Sequence, residues 1–189
     1  MIRITGGTAR GAKLFSIEGR DVRPALARVR VSLFEILRDR LPGAVALDLF
    51  AGTGSLGFEA LSRGAARCVF VESDPRCAEA IARSAAKLRM EDRCEVRRED
   101  AFAAPARSGG APFDLIFVAP PYRYYVDEPE RANLARLLDD LARSSRAAPG
   151  AIFAVEYRRG RGPARPIEGT RPIDRREYGT TEVTLYEKV

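Results

Sequence analysis

The chain has 189 residues, of which 46% are hydrophobic and 31% are charged, and its formal net charge is +6, as in an ordinary globular protein with one domain and small additions. It contains no histidine, and its three cysteines lack metal-ligand spacing, which argues against a disulfide framework, a metal site and histidine-based catalysis. No apolar segment approaches the about 20 residues of a membrane span, and the N-terminus lacks a signal-peptide core, so we expect a cytoplasmic protein without a membrane partner.

Basic side chains cluster at both ends of the chain, in residues 1–30 and 158–176, and the remainder is mildly acidic. This distribution favours surfaces that contact phosphates, and therefore a nucleic-acid partner. A general preference for arginine is the alternative, because almost all basic residues in this chain are Arg. Such a preference explains arginine over lysine better than it explains the clustering.

A small hairpin is predicted at the N-terminus, because two β-prone runs, 2–5 and 12–15, flank a glycine-containing turn. A helix is predicted from Pro24 to near Leu41-Pro42-Gly43, with apolar residues at helical spacing up to Leu37. We expect the hairpin and this helix to form an N-terminal extension over residues 1–42.

The remaining residues, 43–189, alternate strand-like and helix-like segments, which predicts a mostly parallel sheet with helices on both faces. In chain order, strands are predicted at 44–49, 67–72, 94–97, 113–118, 151–157 and 183–186, and helices at about 57–63, 75–90 and 130–144. A turn is predicted at Pro149-Gly150, and the Arg/Gly/Pro-rich segment 158–172 is predicted to be a loop. The late strands are close in sequence, so they should form an antiparallel edge.

A glycine-rich turn follows the first strand of this core. Gly52, Gly54 and Gly57 have the spacing with which a parallel strand delivers a nucleotide-like ligand to the start of a helix. Glu72 ends the next strand about 20 residues later, where an acid accepts hydrogen bonds from the ribose hydroxyls of such a ligand. Alone, this pattern fits both a nicotinamide dinucleotide and S-adenosylmethionine.

Three details favour S-adenosylmethionine over the dinucleotide of an oxidoreductase. Asp48 precedes the glycines, and an anion there repels a pyrophosphate but suits an ammonium and a sulfonium. Asp100 follows the third strand beside Phe102, where an acid can accept from an adenine amino group next to an apolar wall. The fourth strand ends in Ala119-Pro120-Pro121-Tyr122, which suits an amino-group methyltransferase and has no evident use in a dehydrogenase.

With these residues in place, the sequence resembles the RsmD-type S-adenosylmethionine-dependent methyltransferases, which modify a guanine exocyclic N2 in 16S ribosomal RNA. The matching motifs are Ile4-x-Gly6-Gly7-x-Ala9-Arg10-Gly11, Arg23-Pro24 with Arg28-x-Arg30-x-x-Leu33-Phe34, Leu47-Asp48-Leu49-Phe50-Ala51-Gly52-Thr53-Gly54, Leu56-Gly57-x-Glu59-Ala60-Leu61-Ser62-Arg63-Gly64-Ala65, Phe70-Val71-Glu72, Pro120-Pro121-Tyr122 and Tyr178-Gly179-x-Thr181. Many methyltransferases share the glycine loop, whereas the N-terminal arginine block joined to it is much more specific.

The resemblance implies an α/β, Rossmann-like class I methyltransferase core with a mostly parallel sheet, an antiparallel C-terminal edge strand and a small RNA-facing extension. It implies 16S ribosomal RNA as the partner, met in an assembling small ribosomal subunit, with S-adenosylhomocysteine as the product and no metal; we expect a monomer. The residues expected to line the cofactor are Asp48, Phe50, Ala51, Gly52, Thr53, Gly54, Gly57, Glu72, Ser73, Asp100, Ala101 and Phe102. Those expected to bind RNA are Arg10, Lys13, Arg23, Arg28 and Arg30, and those expected to serve catalysis are Ala119, Pro120, Pro121 and Tyr122.

One position departs from the family pattern, which places Asp or Asn where this chain has Ala119. The usual motif holds the two amino hydrogens of the base on that side chain and on the carbonyl of the first proline, here Pro120, while Tyr122 stacks on the base. A lost hydrogen bond of this kind is worth on the order of 1–3 kcal/mol, which slows a reaction about 10- to 100-fold. We therefore predict slower but retained methyl transfer. The alternatives are an impaired family member that serves as an RNA-binding assembly factor, and a methyltransferase for another nucleic-acid amino group.

Overall fold

The computed structural model describes residues 2–17, 27–106, 110–163 and 165–189, except for the side chains of residues 104–106 and 122. The helices in this part are α1 (Ala27–Ile36), α2 (Ser55–Ser62), α3 (Pro75–Leu88) and α4 (Glu128–Arg143). The strands are β1 (Val45–Leu49), β2 (Arg67–Val71), β3 (Cys94–Arg97), β4 (Phe113–Val118), β5 (Ala147–Arg158), β6 (Thr170–Tyr178) and β7 (Thr181–Lys188). None of the helices in these ranges has the length and apolar character that crossing a membrane requires.

The seven strands form one mixed sheet, mostly parallel with antiparallel C-terminal strands, which confirms the predicted α/β fold class. The chain divides into two compact units, Met1–Ala101 and Phe102–Val189. The division predicted from the sequence, between residues 42 and 43, is a different one and stays a prediction.

In the first unit, β2 lies between β3 and β1 and pairs in parallel with both. Parallel strands covered on both faces are apolar along their whole length, and β1 is accordingly buried from Ala46 to Leu49. The helix α3 begins with Pro75 at its first turn, where the Asp74 side chain accepts a hydrogen bond from the Arg76 N–H at 2.8 Å. These are the features that favour a helix start at this position.

The first residues of this unit form the predicted antiparallel turn. Arg3 and Lys13 make an isolated antiparallel bridge, and the Ile4 N–H donates to the carbonyl of Ala12 at 3.0 Å. The helix α1 follows and buries Val29, Arg30, Leu33 and Phe34. The predicted start of this helix, at Pro24, lies outside the described residues.

In the second unit, β4 pairs in parallel with β5, and β7 pairs antiparallel with both β5 and β6. The edge strand is therefore β6, and the predicted loop over 158–172 is wrong at its end, because strand pairing begins at Thr170. Pro149-Gly150 lies within β5, whose pairing with β4 shifts register between Ala147 and Ile152. The predicted turn is thus a bulge inside a strand.

Candidate active site

The glycine turn after β1 uses backbone conformations that most residues avoid. Gly52 and Gly54 have φ values of 55° and 74°, in the left-handed region that favours glycine, and Phe50 shares this region at 57°. The Ala51 N–H donates to the carbonyl of Val71 at the end of β2, at 3.0 Å. The turn therefore leaves β1 sharply, is fixed to β2, and leads into α2.

Gly57, in the first turn of α2, lies where no side chain fits. A Cβ atom there would be 2.2 Å from Cε1 of Phe70 and 2.6 Å from Sγ of Cys68, both on β2. The absence of a side chain lets α2 pack closely on β2. It also leaves the Gly57 N–H directed at the carboxyl of Asp48, to which it donates at 2.9 Å.

Asp48 is a buried carboxyl, and no cationic side chain of the described residues forms an ion pair with it. It is 2% exposed, and burial raises its pKa from 3.8 to about 8, against the lowering effect of the Gly57 N–H and with a smaller raising effect from Glu72. At neutral pH the raised pKa favours the protonated form of this carboxyl, whereas a cation bound beside it would favour the carboxylate.

Glu72 joins the glycine turn to the start of α3. Its Oε2 accepts from the Gly52 N–H and its Oε1 accepts from the Asp74 N–H, both at 2.8 Å. Each carboxylate oxygen can accept more than one hydrogen bond. Glu72 is therefore fixed in orientation while its oxygens keep capacity for further donors.

The other predicted cofactor residues differ in exposure. In the first unit, Thr53 and Ala101 are buried, Ala51 is half-buried, and Ser73 and Asp100 are exposed. In the second unit, the half-buried Phe102 packs against Tyr124, with ring centroids 5.4 Å apart. Their contact with a cofactor stays a prediction.

The predicted catalytic segment begins one residue after β4. Ala119 is half-buried, Pro120 is buried and Pro121 is exposed. A single turn of 3-10 helix, Tyr122–Tyr125, follows. At residue 119 the segment carries a methyl group, so the only acceptors it presents there are backbone carbonyls.

A buried tyrosine anchors this segment to the second unit. The Tyr125 hydroxyl donates to the carbonyl of Glu156 on β5 at 3.0 Å, and its ring packs against Tyr157. The neighbouring Tyr124 accepts a hydrogen bond from Arg123 at 3.1 Å. The backbone that follows Ala119 is therefore held in a defined position.

The residues predicted to bind RNA fall into two groups. Arg10, Lys13 and Arg28 are exposed, as a phosphate contact requires, and Arg23 lies outside the described residues. Arg30 is only 3% exposed. Its guanidinium donates to the carbonyl of Arg3 at 2.7 Å and lies 3.7 Å from Glu59, so it has a structural role that the sequence did not indicate.

Sequence reasoning assigned no role to Glu59, which is fully buried on α2. Its carboxylate accepts from the backbone N–H of Thr5 at 2.9 Å, from the Thr5 hydroxyl at 2.6 Å and from Arg63 at 2.9 Å. One turn later, the Ser62 hydroxyl donates to the carbonyl of Gly6 at 2.6 Å and accepts from the Ala9 N–H. The available signal was an acid inside an otherwise apolar helix.

Within the described residues, no group of three or more acidic or cysteine side chains is arranged to hold a metal ion. A family profile described as "Conserved hypothetical protein 95" matches residues 2–187. "Putative rRNA methyltransferase YlbH" of Bacillus subtilis is 33% identical over 192 residues, which cover 99% of each chain. "Ribosomal RNA small subunit methyltransferase D" of Escherichia coli K12 is 38% identical over 122 residues, 65% of this chain and 61% of that protein.

Two solved methyltransferase structures share the fold of this chain. "Putative methyltransferase yhhF" of Escherichia coli superposes with a TM-score of 0.84 at 32% identity, covering 99% of this chain and 97% of that one. N-methyltransferase NodS of Bradyrhizobium japonicum WM9 is 16% identical with a TM-score of 0.64, over 89% of this chain and 99% of its own, and shares the fold alone.

Proposed function

We propose that this chain, which belongs to the Cons_hypoth95 family of RsmD-like methyltransferases, methylates the exocyclic N2 of a guanine in small-subunit (16S) ribosomal RNA, with S-adenosylmethionine as the methyl donor. The observation that carries the proposal is the buried Asp48 carboxyl. It forms no ion pair with the described residues, and it accepts a hydrogen bond from Gly57 in the helix that follows the glycine turn. Relatives named as small-subunit ribosomal RNA methyltransferases support the RNA substrate.

The donor set fits S-adenosylmethionine. The raised pKa of Asp48 reflects a buried carboxyl that is costly to ionise, and a ligand ammonium beside it would lower this pKa and stabilise the carboxylate. Glu72 would accept from the ribose hydroxyls, Asp100 from the adenine amino group, and Phe102 would cover the adenine ring. The other residues proposed around the cofactor are Phe50, Ala51, Gly52, Thr53, Gly54, Gly57, Ser73 and Ala101. When bound, S-adenosylmethionine supplies an electrophilic methyl group on its sulfonium.

The residues after β4 would act on the base. The lone pair of guanine N2 is delocalised into the ring, so N2 must become pyramidal before it attacks a methyl group. The Pro120 carbonyl would accept one amino hydrogen, and Tyr122 would stack on the base and hold it outside its helix. Methylation leaves a positively charged N2, which releases a proton to water without a histidine or a metal ion.

The exposed cations of the N-terminal turn and α1, Arg10, Lys13 and Arg28, would contact phosphates. Arg23 completes the proposed set. Arg30 would contribute by holding the carbonyl of Arg3. We propose that the enzyme works as a monomer in the cytoplasm, on a small subunit during its assembly.

The test is incubation of the protein with undermodified small-subunit particles and labelled S-adenosylmethionine, followed by nucleoside analysis. Label in N2-methylguanosine is expected. Label only in another amino group would assign a different nucleic-acid substrate. No label at all, from folded protein that binds S-adenosylhomocysteine, would contradict the enzymatic proposal.

A second candidate follows from Ala119, which offers no side-chain acceptor: the chain would bind ribosomal RNA as an assembly factor and methylate it too slowly to matter. The variants Ala119→Asn and Ala119→Asp restore an acceptor and should raise the rate about 10- to 100-fold. Ala66→Asn, at an exposed position, is the matched control and should change nothing. A silent parent with an active Ala119→Asn variant would favour the assembly factor.

A further inference from the structure

The arginines near the C-terminus are mostly engaged in ion pairs within the second unit. Arg171 pairs with Glu187, Arg176 with Asp174, and Arg159 with Glu177. The remaining pairs in this stretch are Arg165 with Asp139 and Glu168, and Arg175 with Glu177 and Glu182. The positive charge of the basic cluster at 158–176 is therefore largely compensated by acidic side chains of the same unit.

Five cations of the first unit differ from these arginines in their ion pairing. They are Arg3, Arg10, Lys13, Arg83 and Lys87, which together with Phe15 we name the turn–α3 surface. All five are exposed. In the described part of the chain, none of them lies within the 4 Å of a carboxylate that defines an ion pair. Glu79 is the acidic residue within α3; it lies one turn before Arg83, and no ion pair joins the two side chains.

Direct contacts join the turn to α3. Lys87 donates from Nζ to the carbonyl of Lys13 at 3.0 Å, and the Phe15 N–H donates to the Ser84 hydroxyl at 3.0 Å. The guanidinium of Arg83 lies 4.2 Å from the centroid of the Phe15 ring, and Lys87 Nζ lies 5.3 Å from it. Arg83 and Lys87 are four residues apart, so they share one face of the helix.

The turn contributes its cations to the same surface. Arg3 and Lys13 are directly paired across the antiparallel bridge, and side chains of paired residues lie on the same side. Arg3 also donates to the carbonyl of Gly11 at 2.8 Å, next to Arg10. The surface thus combines several cations that form no ion pair with a carboxylate of the described residues with a half-buried aromatic ring, a combination that suits the phosphate backbone of a nucleic acid.

We propose that Arg83 and Lys87 of α3 bind RNA phosphates together with the N-terminal turn, and that the arginines of β6 do not. The proposal deepens the proposed function and rests on it for the identity of the partner as RNA. Cations with no carboxylate partner release counterions when they bind phosphate, whereas paired arginines must first give up an intramolecular partner.

The test compares two double variants with the same change in net charge. Arg83→Gln with Lys87→Gln removes two cations of the turn–α3 surface, and Arg171→Gln with Arg176→Gln removes two ion-paired arginines of β6. Binding to a fluorescent small-subunit ribosomal RNA fragment is measured by anisotropy between 50 and 200 mM salt, conditions over which phosphate contacts lose affinity steeply. Calorimetric titration with S-adenosylhomocysteine verifies that each variant is folded.

The α3 variant should bind RNA about tenfold more weakly than the parent, with a slope of log K against log salt smaller by roughly 1.4 to 1.8, the value for two lost phosphate contacts. The β6 variant should match the parent. Equal losses in both variants, or no loss in the α3 variant, would overturn the proposal. So would equal binding of polyglutamate to the parent protein. A parent that binds S-adenosylhomocysteine but no RNA would refute the proposed substrate, and this inference with it.

Discussion

At the scale of single residues, Asp48 shows how the demands of a proposed binding site conflict with stability. A carboxyl that is fully buried next to one N–H donor is expensive to ionise, and its pKa of about 8 expresses that cost. A surface aspartate would impose no such penalty. Burial would strengthen binding of the proposed ligand, because the attraction between its cationic group and the Asp48 carboxylate is stronger in the protein interior than in water.

The contribution of Asp48 to the free energy of unfolding should therefore decrease as the pH rises from about 4 to about 8. In this window the folded carboxyl of Asp48 retains a proton that the unfolded chain has released, at a cost of about 1.4 kcal/mol per pH unit. Asp48→Asn cannot ionise. The stability of this variant relative to the parent should rise steadily between pH 5 and pH 8, as measured by urea unfolding, while its affinity for S-adenosylhomocysteine falls.

The control for this experiment is Asp92→Asn, at an exposed carboxyl of the first unit. Its stability relative to the parent should not vary over the same pH range. A pH-independent difference for Asp48→Asn as well would contradict the raised pKa.

At the scale of helices and strands, the prediction from sequence was most accurate where a single rule, the burial of a parallel strand, determines the structure. Strands β1, β2, β3 and β4 were placed to within about one residue, since buried parallel strands are short runs bounded by turns. β6 was missed because Thr170–Tyr178 is mostly polar and contains Pro172, and an edge strand exposed on most positions has no apolar alternation. Pro149-Gly150 has turn chemistry, which here produces a bulge within β5.

The residues around the candidate site likewise divide into those whose places the sequence predicts and those whose contacts it does not. The places of Asp48 and Glu72 in the fold were predictable because the end of a parallel strand after an apolar run is a defined position, whereas their contact with a cofactor stays a prediction. The partners of Arg30 and Glu59 were not, since Glu59 and Thr5 are 54 residues apart, and no local pattern specifies such a contact. An arginine that looked like a phosphate ligand is consequently buried against a carboxylate of α2.

The helix α2 links two parts of the first unit. Its first turn carries the N–H of Gly57, which is bonded to Asp48, and its last turns carry Glu59 and Ser62, which hold residues Thr5 to Ala9. The same short helix therefore positions the candidate cofactor turn and the N-terminal turn.

We predict that Glu59→Gln destabilises the protein by about 3–5 kcal/mol, because it removes the charge that compensates Arg30 in a buried environment. Urea unfolding measures this loss. Hydrogen exchange should additionally increase at the amides of Thr5 and Ala9, in response to loosening of the turn. Glu91→Gln, at an exposed position, should leave both measurements unchanged, and protection at Thr5 equal to that of the parent would contradict the role of Glu59.

At the scale of the whole molecule, the net charge of +6 is not uniformly available. The second unit uses most arginines of its C-terminal strands in exposed ion pairs, each worth about 0–1 kcal/mol. In the first unit, the turn–α3 cations have no carboxylate partner among the residues that the structure describes. Composition indicated two basic regions of similar character, and only the contacts distinguish a neutralised surface from one suited to phosphates.

The three thiols provide a probe of unfolding for the first unit. Cys68 and Cys77 are buried, and burial raises the pKa of the partly buried Cys94 to about 12. Because only the thiolate reacts, Cys94 at pH 8 should react with an aromatic disulfide reagent roughly 2,000-fold more slowly than a thiol of pKa 8.5. We predict negligible labelling of the native protein within minutes and rapid release of three equivalents in denaturant, in agreement with the three cysteines of the chain.

Intermediate urea concentrations should accelerate labelling of Cys68 and Cys77 in parallel with unfolding measured by circular dichroism. Rapid labelling of one equivalent in native buffer would show that a thiol is exposed and reactive, and would contradict the burial described for this unit.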